Sequence, residues 1–179
     1  IFFHSINLLR IVYHMYAIIG KEVIEMVFED WEDKLKSQSI SDYTKSAILY
    51  YMYKEGYKLE PQTREYFDLV ISIENTITDL LTYKLPFVNE IDNIQIPEPK
   101  EFTSAQVQML TKSFVSLDLI RECIQQIREA QNKDKLREVL MHYKGIIDKV
   151  QDTCVQRAQQ EIGLLDDYAR YKISTFKIV

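Results

Sequence analysis

The stretch KLREVLMHYKGIID, residues 135–148, contains an arginine and a histidine with four residues between them, Arg137 and His142. Histidine is the side chain that most often transfers protons in enzymes, and arginine commonly binds developing negative charge. The pair is therefore the strongest candidate for chemistry in this chain. It has two interpretations: a catalytic dyad, or two polar side chains on the outside of a helix, with the arginine ion-paired and the histidine half-exposed.

The Arg-x4-His spacing resembles the motif of the HEPN family, helical domains many of which are metal-independent ribonucleases. Tyr143 follows the histidine, and HYKGIID is similar to the family's His-x-Tyr tail with one residue missing. The resemblance covers about a dozen of the 179 residues, and Glu138 stands where the family often has Asn, Asp or His. It implies that Arg137 would clamp the transition state and His142 would act as general acid or base, the two facing each other across a dimer cleft.

Other catalytic and binding motifs are missing from the sequence. Its four glycines are isolated, so they cannot form a phosphate-binding loop or a dinucleotide fingerprint. It has three histidines, no His-Glu-x-x-His and no Glu-x-x-His, and no Gly-x-Ser-x-Gly nucleophile elbow. We therefore expect no metal, no cofactor, no small-molecule substrate and no enzymatic activity.

Charge is unevenly distributed along the chain. Residues 1–99 carry 9 basic and 16 acidic side chains, net −7, whereas residues 100–179 carry 13 and 11, net +2. An acidic chain of net charge −5 lacks the clustered Lys and Arg that phosphate-backbone binding requires, which disfavours nucleic acid as a partner. The asymmetry either guides two halves or two copies into contact or belongs to a solvated surface.

Apolar residues recur at steps of three and four over most of the chain, which predicts amphipathic helices. Ser39 or Ser41 can cap a short helix that ends at Gly56. Pro86 should kink or break the helix that contains it. The predicted helices cover about 1–37, 42–55, 61–88, 103–131 and 134–176.

Two further signals set helix starts. Pro61 suits a first helical position, and Thr103 with Gln106 forms a capping-box pattern. In the connection at residues 132–134, Asp134 can cap the last helix.

The predicted fold is all-α: an elongated antiparallel helical bundle of four long helices and one short helix. Gly and Pro total only eight residues, too few for the frequent turns of a sandwich or barrel. Short connections place consecutive helices antiparallel, and a near-3.5 apolar repeat predicts coiled-coil contacts. The Pro-containing stretch IQIPEPKE, residues 94–101, links the acidic N-terminal helices, 1–93, to a long C-terminal hairpin, 102–179. The length suits one domain, and the first residue, Ile, leads us to expect a fragment of a longer protein.

Two regions are candidate interfaces. Tyrosine gives large rigid contact area with a polar tip, and it is enriched where proteins meet. The stretch YYMYKEGYKLEPQTREYF, residues 50–67, is rich in tyrosine, although packing at the end of the bundle would also explain it. The C-terminal stretch, 160–179, carries apolar positions that a second chain could cover. The candidate interface residues are Tyr50, Tyr51, Tyr53, Tyr57, Leu165, Ile173 and Phe176.

The apolar start of the chain raises the question of a membrane. Arg10 lies at the middle of IFFHSINLLRIVYHMYAIIG, and a central arginine costs roughly 2.5–3.5 kcal/mol on insertion scales. We therefore predict a buried helix, with interfacial membrane contact as a less favoured alternative. Cys123 and Cys154 are predicted to be far apart and unpaired, which favours an intracellular, cytoplasmic location.

These observations predict a non-enzymatic helical module that binds another protein or itself through amphipathic helix seams, as a scaffold or regulatory domain. Two alternatives remain open. One is the HEPN-like ribonuclease that uses Arg137 and His142. The other is a membrane-associated helical dimer of the BAR type, although the expected basic face is missing.

Overall fold

The computed structural model describes residues 2–88 and 93–162. Within these ranges the chain is all-α, as predicted, with no strand. A π-helical turn and a 3-10 turn, Leu80–Lys84 and Leu85–Phe87, follow directly on the third helix. The α-helices are α1 (Phe2–Lys34), α2 (Asp42–Lys54), α3 (Pro61–Asp79), α4 (Ala105–Ser113), α5 (Leu117–Glu129) and α6 (Lys133–Ile162).

Residue contacts divide the chain into two compact units. The first comprises Ile1–Ile40 with Glu161–Val179, and the second comprises Ser41–Gln160. Helix α1 belongs to the first unit, and the second contains α2 to α5 together with α6 as far as residue 160. The boundary expected at residues 94–101 stays a prediction. Nowhere in the described ranges is a helix both long and apolar enough to cross a membrane.

Helix α2 begins and ends as its sequence predicts. The Ser41 hydroxyl accepts a hydrogen bond from the Thr44 N–H at 3.2 Å, so Ser41 is the N-cap. Gly56 follows the helix with φ of 73°, a left-handed conformation that glycine adopts without the steric penalty of a Cβ. Pro61 occupies the first turn of α3, where its missing N–H would have had no helical partner.

The caps of α4 and α6 differ from the prediction by one or two residues. Ser104, rather than Thr103, caps α4 by accepting from the Val107 N–H at 3.4 Å. Gln106 does not reach back to close a capping box, because its side-chain oxygen Oε1 accepts a hydrogen bond from the Thr63 hydroxyl at 2.6 Å. At α6, Asn132 rather than Asp134 accepts from the first turn, from the Lys135 N–H at 2.8 Å.

The long helix predicted over residues 103–131 is two helices. The break falls at Phe114–Ser116, where φ and ψ of Phe114 are −127° and −117°. Phe114 enters an aromatic cluster with Tyr50 and Phe67, at ring distances of 5.0 and 5.5 Å. Ser116 then caps α5 by accepting from the Leu119 N–H at 2.9 Å. The predicted count of four long helices and one short helix therefore becomes six helices in the described chain.

Helices α3 and α4 run in the same direction, unlike the antiparallel neighbours that the sequence predicts. Their first turns are joined by hydrogen bonds between Gln62 and Thr103, 3.0 Å, and between Thr63 and Gln106. The reason is the length of the connection between them. Helix α3 is about 28 Å long, and the 17 residues from 88 to 104 can span that distance when extended.

Helices α2 and α6 both run antiparallel to α3. The Tyr53 hydroxyl at the end of α2 bonds to Asp68 in the first half of α3. Helix α6 runs back along α3, because Gln151 bonds to Glu74 at 2.8 Å while Lys133 bonds to the Pro86 carbonyl at 2.9 Å. The core of this unit consists of the apolar faces of these helices.

Candidate functional site

Arg137 and His142 both lie on the exposed face of α6. Arg137 forms no ion pair or hydrogen bond with any described residue, so the predicted ion pair is not seen there. The His142 ring contacts the edge of its neighbour Tyr143, with centroids 5.0 Å apart. Tyr143 itself is buried.

Helix geometry separates the two candidate catalytic residues. Five residues on an α-helix correspond to a rotation of about 140°, so Arg137 and His142 point in different directions. Met141, 61% exposed, lies between them on the helix surface. This separation disfavours a common pocket within one chain. The ribonuclease alternative, in which the two residues face each other across a dimer cleft, stays a prediction.

Both cysteines are free and buried. Burial raises the pKa of the Cys123 thiol to about 12 and that of Cys154 to about 11, and the neighbouring Glu122 carboxylate adds to the first shift. A thiol with such a pKa carries almost no thiolate at neutral pH, and the thiolate is the nucleophile. Neither cysteine is therefore suited to nucleophilic catalysis.

The tyrosine-rich stretch divides between core and surface. Tyr50 is 3% exposed and packs on Phe67 and Phe114, and burial raises its pKa to about 12. The half-buried Tyr53 donates its hydroxyl to Asp68 at 2.6 Å, and burial together with this bond raises its pKa. Tyr51 and Tyr57 are also half-buried, and both make contacts in the structure.

The other candidate interface residues, Leu165, Ile173 and Phe176, lie outside the described residues. Among residues that the structure does describe, no group of three or more His, Cys, Asp or Glu could hold a metal ion.

The end of α3 exposes an aromatic pair that the sequence analysis did not single out. Pro86 has no N–H, and the helix ahead of it widens so that the Leu85 N–H bonds to the carbonyl of Leu80, a π-type hydrogen bond. Leu80 and Leu85 are buried, whereas Tyr83 and Phe87 are 70% and 81% exposed. The anchored turn thus presents two large aromatic side chains to solvent, and such residues are enriched at binding hot spots.

Helix α1 carries apolar side chains on two faces. Phe28 and Trp31 are buried, and the Lys34 ammonium lies 4.9 Å from the Trp31 ring centroid. Met15 and Met26 are rotated by more than 120° from both of these residues, and Ile18 by about 80° from Phe28 and about 140° from Trp31. All three are exposed, Met26 by 69%.

Five exposed residues of α1 lie along one side of the helix, and we call this row the outer seam. Its positions are 15, 18, 22, 26 and 29, so its steps are three, four, four and three, the spacing of a helix-packing stripe. The apolar spacing over residues 1–37 predicts a single stripe, whereas the structure exposes a second set of apolar side chains. A helical-wheel projection of these residues would have shown the second set of apolar side chains. The members of the outer seam are Met15, Ile18, Glu22, Met26 and Glu29.

A shallow groove of about 360 Å³ lies between the segment Glu98–Pro99 and α5. Its two arginines are already ion-paired within the chain, Arg128 with Glu98 and Arg121 with Asp118. The groove therefore offers no uncompensated positive charge to an anionic ligand.

Compared with known protein families, curated proteins and solved structures, the chain matches none. The class of protein is accordingly defined by the fold alone: an all-α helical protein with Met15, Ile18 and Met26 exposed on its first helix.

Proposed function

We propose that this chain is a non-enzymatic helical interaction module that binds another protein through an amphipathic helix seam. The observation that carries the proposal is the outer seam of α1, which keeps helix-packing spacing while its Met15, Ile18 and Met26 are exposed. Single exposed apolar residues are ordinary on a protein surface, but a row of them marks an interaction site. A scaffold or regulatory role in the cytoplasm is part of the same proposal.

The aromatic pair Tyr83 and Phe87 supports the proposal from the other unit. Both side chains are exposed on a turn whose backbone is anchored by buried leucines. An exposed aromatic side chain on a rigid support contributes contact area at low cost in conformational entropy.

A photo-crosslinking experiment tests the proposal. A benzophenone amino acid replaces Met26 in the full chain, and a matched chain carries it at Met141, which is similarly exposed but lies on α6. In lysate of the source cells, we expect a discrete protein adduct from position 26 that Ile18→Asp suppresses at least five-fold. The same adduct from position 141, or no adduct at position 26, would refute binding through α1.

A folding control accompanies the crosslinking. Because Ile18 is exposed, Ile18→Asp should leave the free energy of unfolding within about 0.5 kcal/mol of the parent. Circular dichroism and urea titration check this. Light scattering of the same samples shows whether a second copy of the chain is the partner.

A further inference from the structure

We propose that the outer seam takes a basic amphipathic helix, one that places apolar side chains against Met15, Ile18 and Met26 and Lys or Arg opposite Glu22 and Glu29. This inference rests on the proposed function and adds the chemistry of the partner. It joins two properties of the same row of residues, its spacing and its charge.

The spacing identifies the partner as a helix. The outer seam extends over 14 residue steps, about 21 Å of helix axis. Its three-four-four-three pattern is the one that interdigitates with a second helix of similar length at a small crossing angle. The side chains of an extended strand repeat every two residues and a flat loop has no fixed repeat, so neither matches this spacing.

The charge identifies the partner as basic. Glu22 and Glu29 are exposed members of the seam, and neither has an ion pair with a described residue. The lysines of the same helix are already engaged on other carboxylates: Lys21 with Glu25 at 4.0 Å and Lys34 with Asp30 at 2.9 Å. Among the residues that the structure describes, the two seam glutamates therefore have no basic partner, and a helix that carries Lys or Arg would supply one.

The same charges disfavour two other occupants. When the seam pairs with a second copy of itself, Glu22 faces Glu22 both in the parallel arrangement and in the antiparallel arrangement centred on residue 22, and facing like charges are destabilising. A bilayer rich in anionic lipid repels two carboxylates placed among the apolar residues that would insert.

Peptide selection tests the inference directly. A displayed library of helical peptides keeps Leu at the positions that face the apolar seam residues and varies the two positions that face Glu22 and Glu29 among Lys, Gln and Glu. When peptides are selected for binding to the full chain, Lys should occur more often than Glu at each of the two varied positions. A synthetic peptide with two lysines should bind about ten-fold more tightly than the one with two glutamates, since each exchange replaces a repulsion by an attraction.

Two variants, one of them double, distinguish the possible results. In Glu22→Gln/Glu29→Gln the preference for lysine should disappear while apolar binding remains, and in Met26→Asp binding of every peptide should fall. Peptides that bind the parent with no charge preference, and lose binding in Met26→Asp, overturn the basic partner but leave the interaction module in place. If no peptide binds, both the inference and the function proposed for α1 fail.

Two further measurements would contradict the proposal if they gave the following results. Pelleting of the parent chain with phosphatidylglycerol vesicles, lost in Met26→Asp, would assign the seam to a membrane. Sedimentation equilibrium that shows a dimer dissociated by Met26→Asp would assign it to a second copy. The expected result is a chain that neither pellets nor dimerises through this seam.

Discussion

The hydroxyl of Tyr66 in α3 satisfies both backbone polar groups of Val115: it donates to the carbonyl and accepts from the N–H at 3.1 Å. Val115 lies in the break between α4 and α5, where the backbone cannot complete its hydrogen bonds within a helix. A single buried side chain from another helix therefore stabilises the turn of the chain at this point. The contact also places Phe114 in the aromatic cluster beside Tyr66.

Replacing Tyr66 by phenylalanine should destabilise the fold. The substitution leaves the ring in place but removes the partner of two buried backbone groups, which costs about 1–3 kcal/mol. Urea unfolding followed by circular dichroism measures the change. Tyr83→Phe is the matched control, since Tyr83 is exposed and its loss of a hydroxyl should change the free energy of unfolding by less than about 0.5 kcal/mol. Equal effects of the two substitutions would contradict this account.

Two glycines should respond to alanine with opposite signs. Gly145 lies in the interior of α6 with nothing within 4 Å of an added Cβ, so Gly145→Ala should stabilise the chain by about 0.5–1 kcal/mol. Gly56 has φ of 73°, which an L side chain rarely adopts, so Gly56→Ala should destabilise it by about 1 kcal/mol. Thermal unfolding of both variants checks the signs. Stabilisation by Gly56→Ala would contradict the left-handed turn.

Substitutions on either side of Pro86 should differ in their effect on stability, because one neighbour is buried and the other is exposed. Leu85 is buried, so Leu85→Ala should cost about 2–5 kcal/mol of stability. Phe87 is exposed, and Phe87→Ser should leave the free energy of unfolding within about 0.5 kcal/mol of the parent. Chemical denaturation of both variants gives the comparison. A large loss of stability in Phe87→Ser would show that this ring is part of the core.

The free energy of unfolding should fall as the solution becomes alkaline. The fall should begin at the pH where the cysteine thiols of the unfolded chain ionise. Burial raises the thiol pKa from 9.0 to about 12 for Cys123 and about 11 for Cys154. Above pH 9 the unfolded chain releases these protons while the folded chain retains them, which favours the unfolded state. The stabilising contribution of the two buried thiols is thus complete below pH 9 and is lost between about pH 9 and their pKa values in the folded chain.

Unfolding free energies measured between about pH 7 and pH 11 test this dependence. In Cys123→Ala/Cys154→Ala the decline should begin about one pH unit later, where tyrosine ionisation starts, because burial also raises the pKa of Tyr50 and Tyr143 from 10.0 to about 12. In the native parent at pH 8, a thiol reagent such as dithiobisnitrobenzoate should react slowly, and it should react at once in urea. Rapid labelling of the native chain would contradict the burial of the thiols.

The chain should not cleave RNA in a manner that depends on His142. Arg137 and His142 point about 140° apart on one helix, which disfavours their acting together on a single substrate within one chain. Single-stranded RNA incubated with the parent and with His142→Ala should remain equally intact. Cleavage by the parent that His142→Ala abolishes would restore the ribonuclease alternative and require a site completed by a second copy.

The extent to which the sequence predicted the candidate site differed between residues. The exposed state of His142 could be anticipated from its position beside the apolar stripe, and so could the burial of Leu140 and Tyr143 within it. The aromatic pair at Tyr83 and Phe87 could not, because the π-type turn that orients Tyr83 depends on how the residues before Pro86 redistribute their hydrogen bonds.

The sequence by itself determined the helical class, the apolar stripes and most helix ends, because three-and-four spacing, Ser41, Gly56 and Pro86 act on the chain within a few residues. The tertiary structure alone decided where the helix after Ser104 breaks and which way α4 runs beside α3. Both depend on contacts between residues far apart in the chain, such as Tyr66 with Val115 and Gln62 with Thr103. No local pattern contains the partner of such a contact, so only the folded chain reveals it.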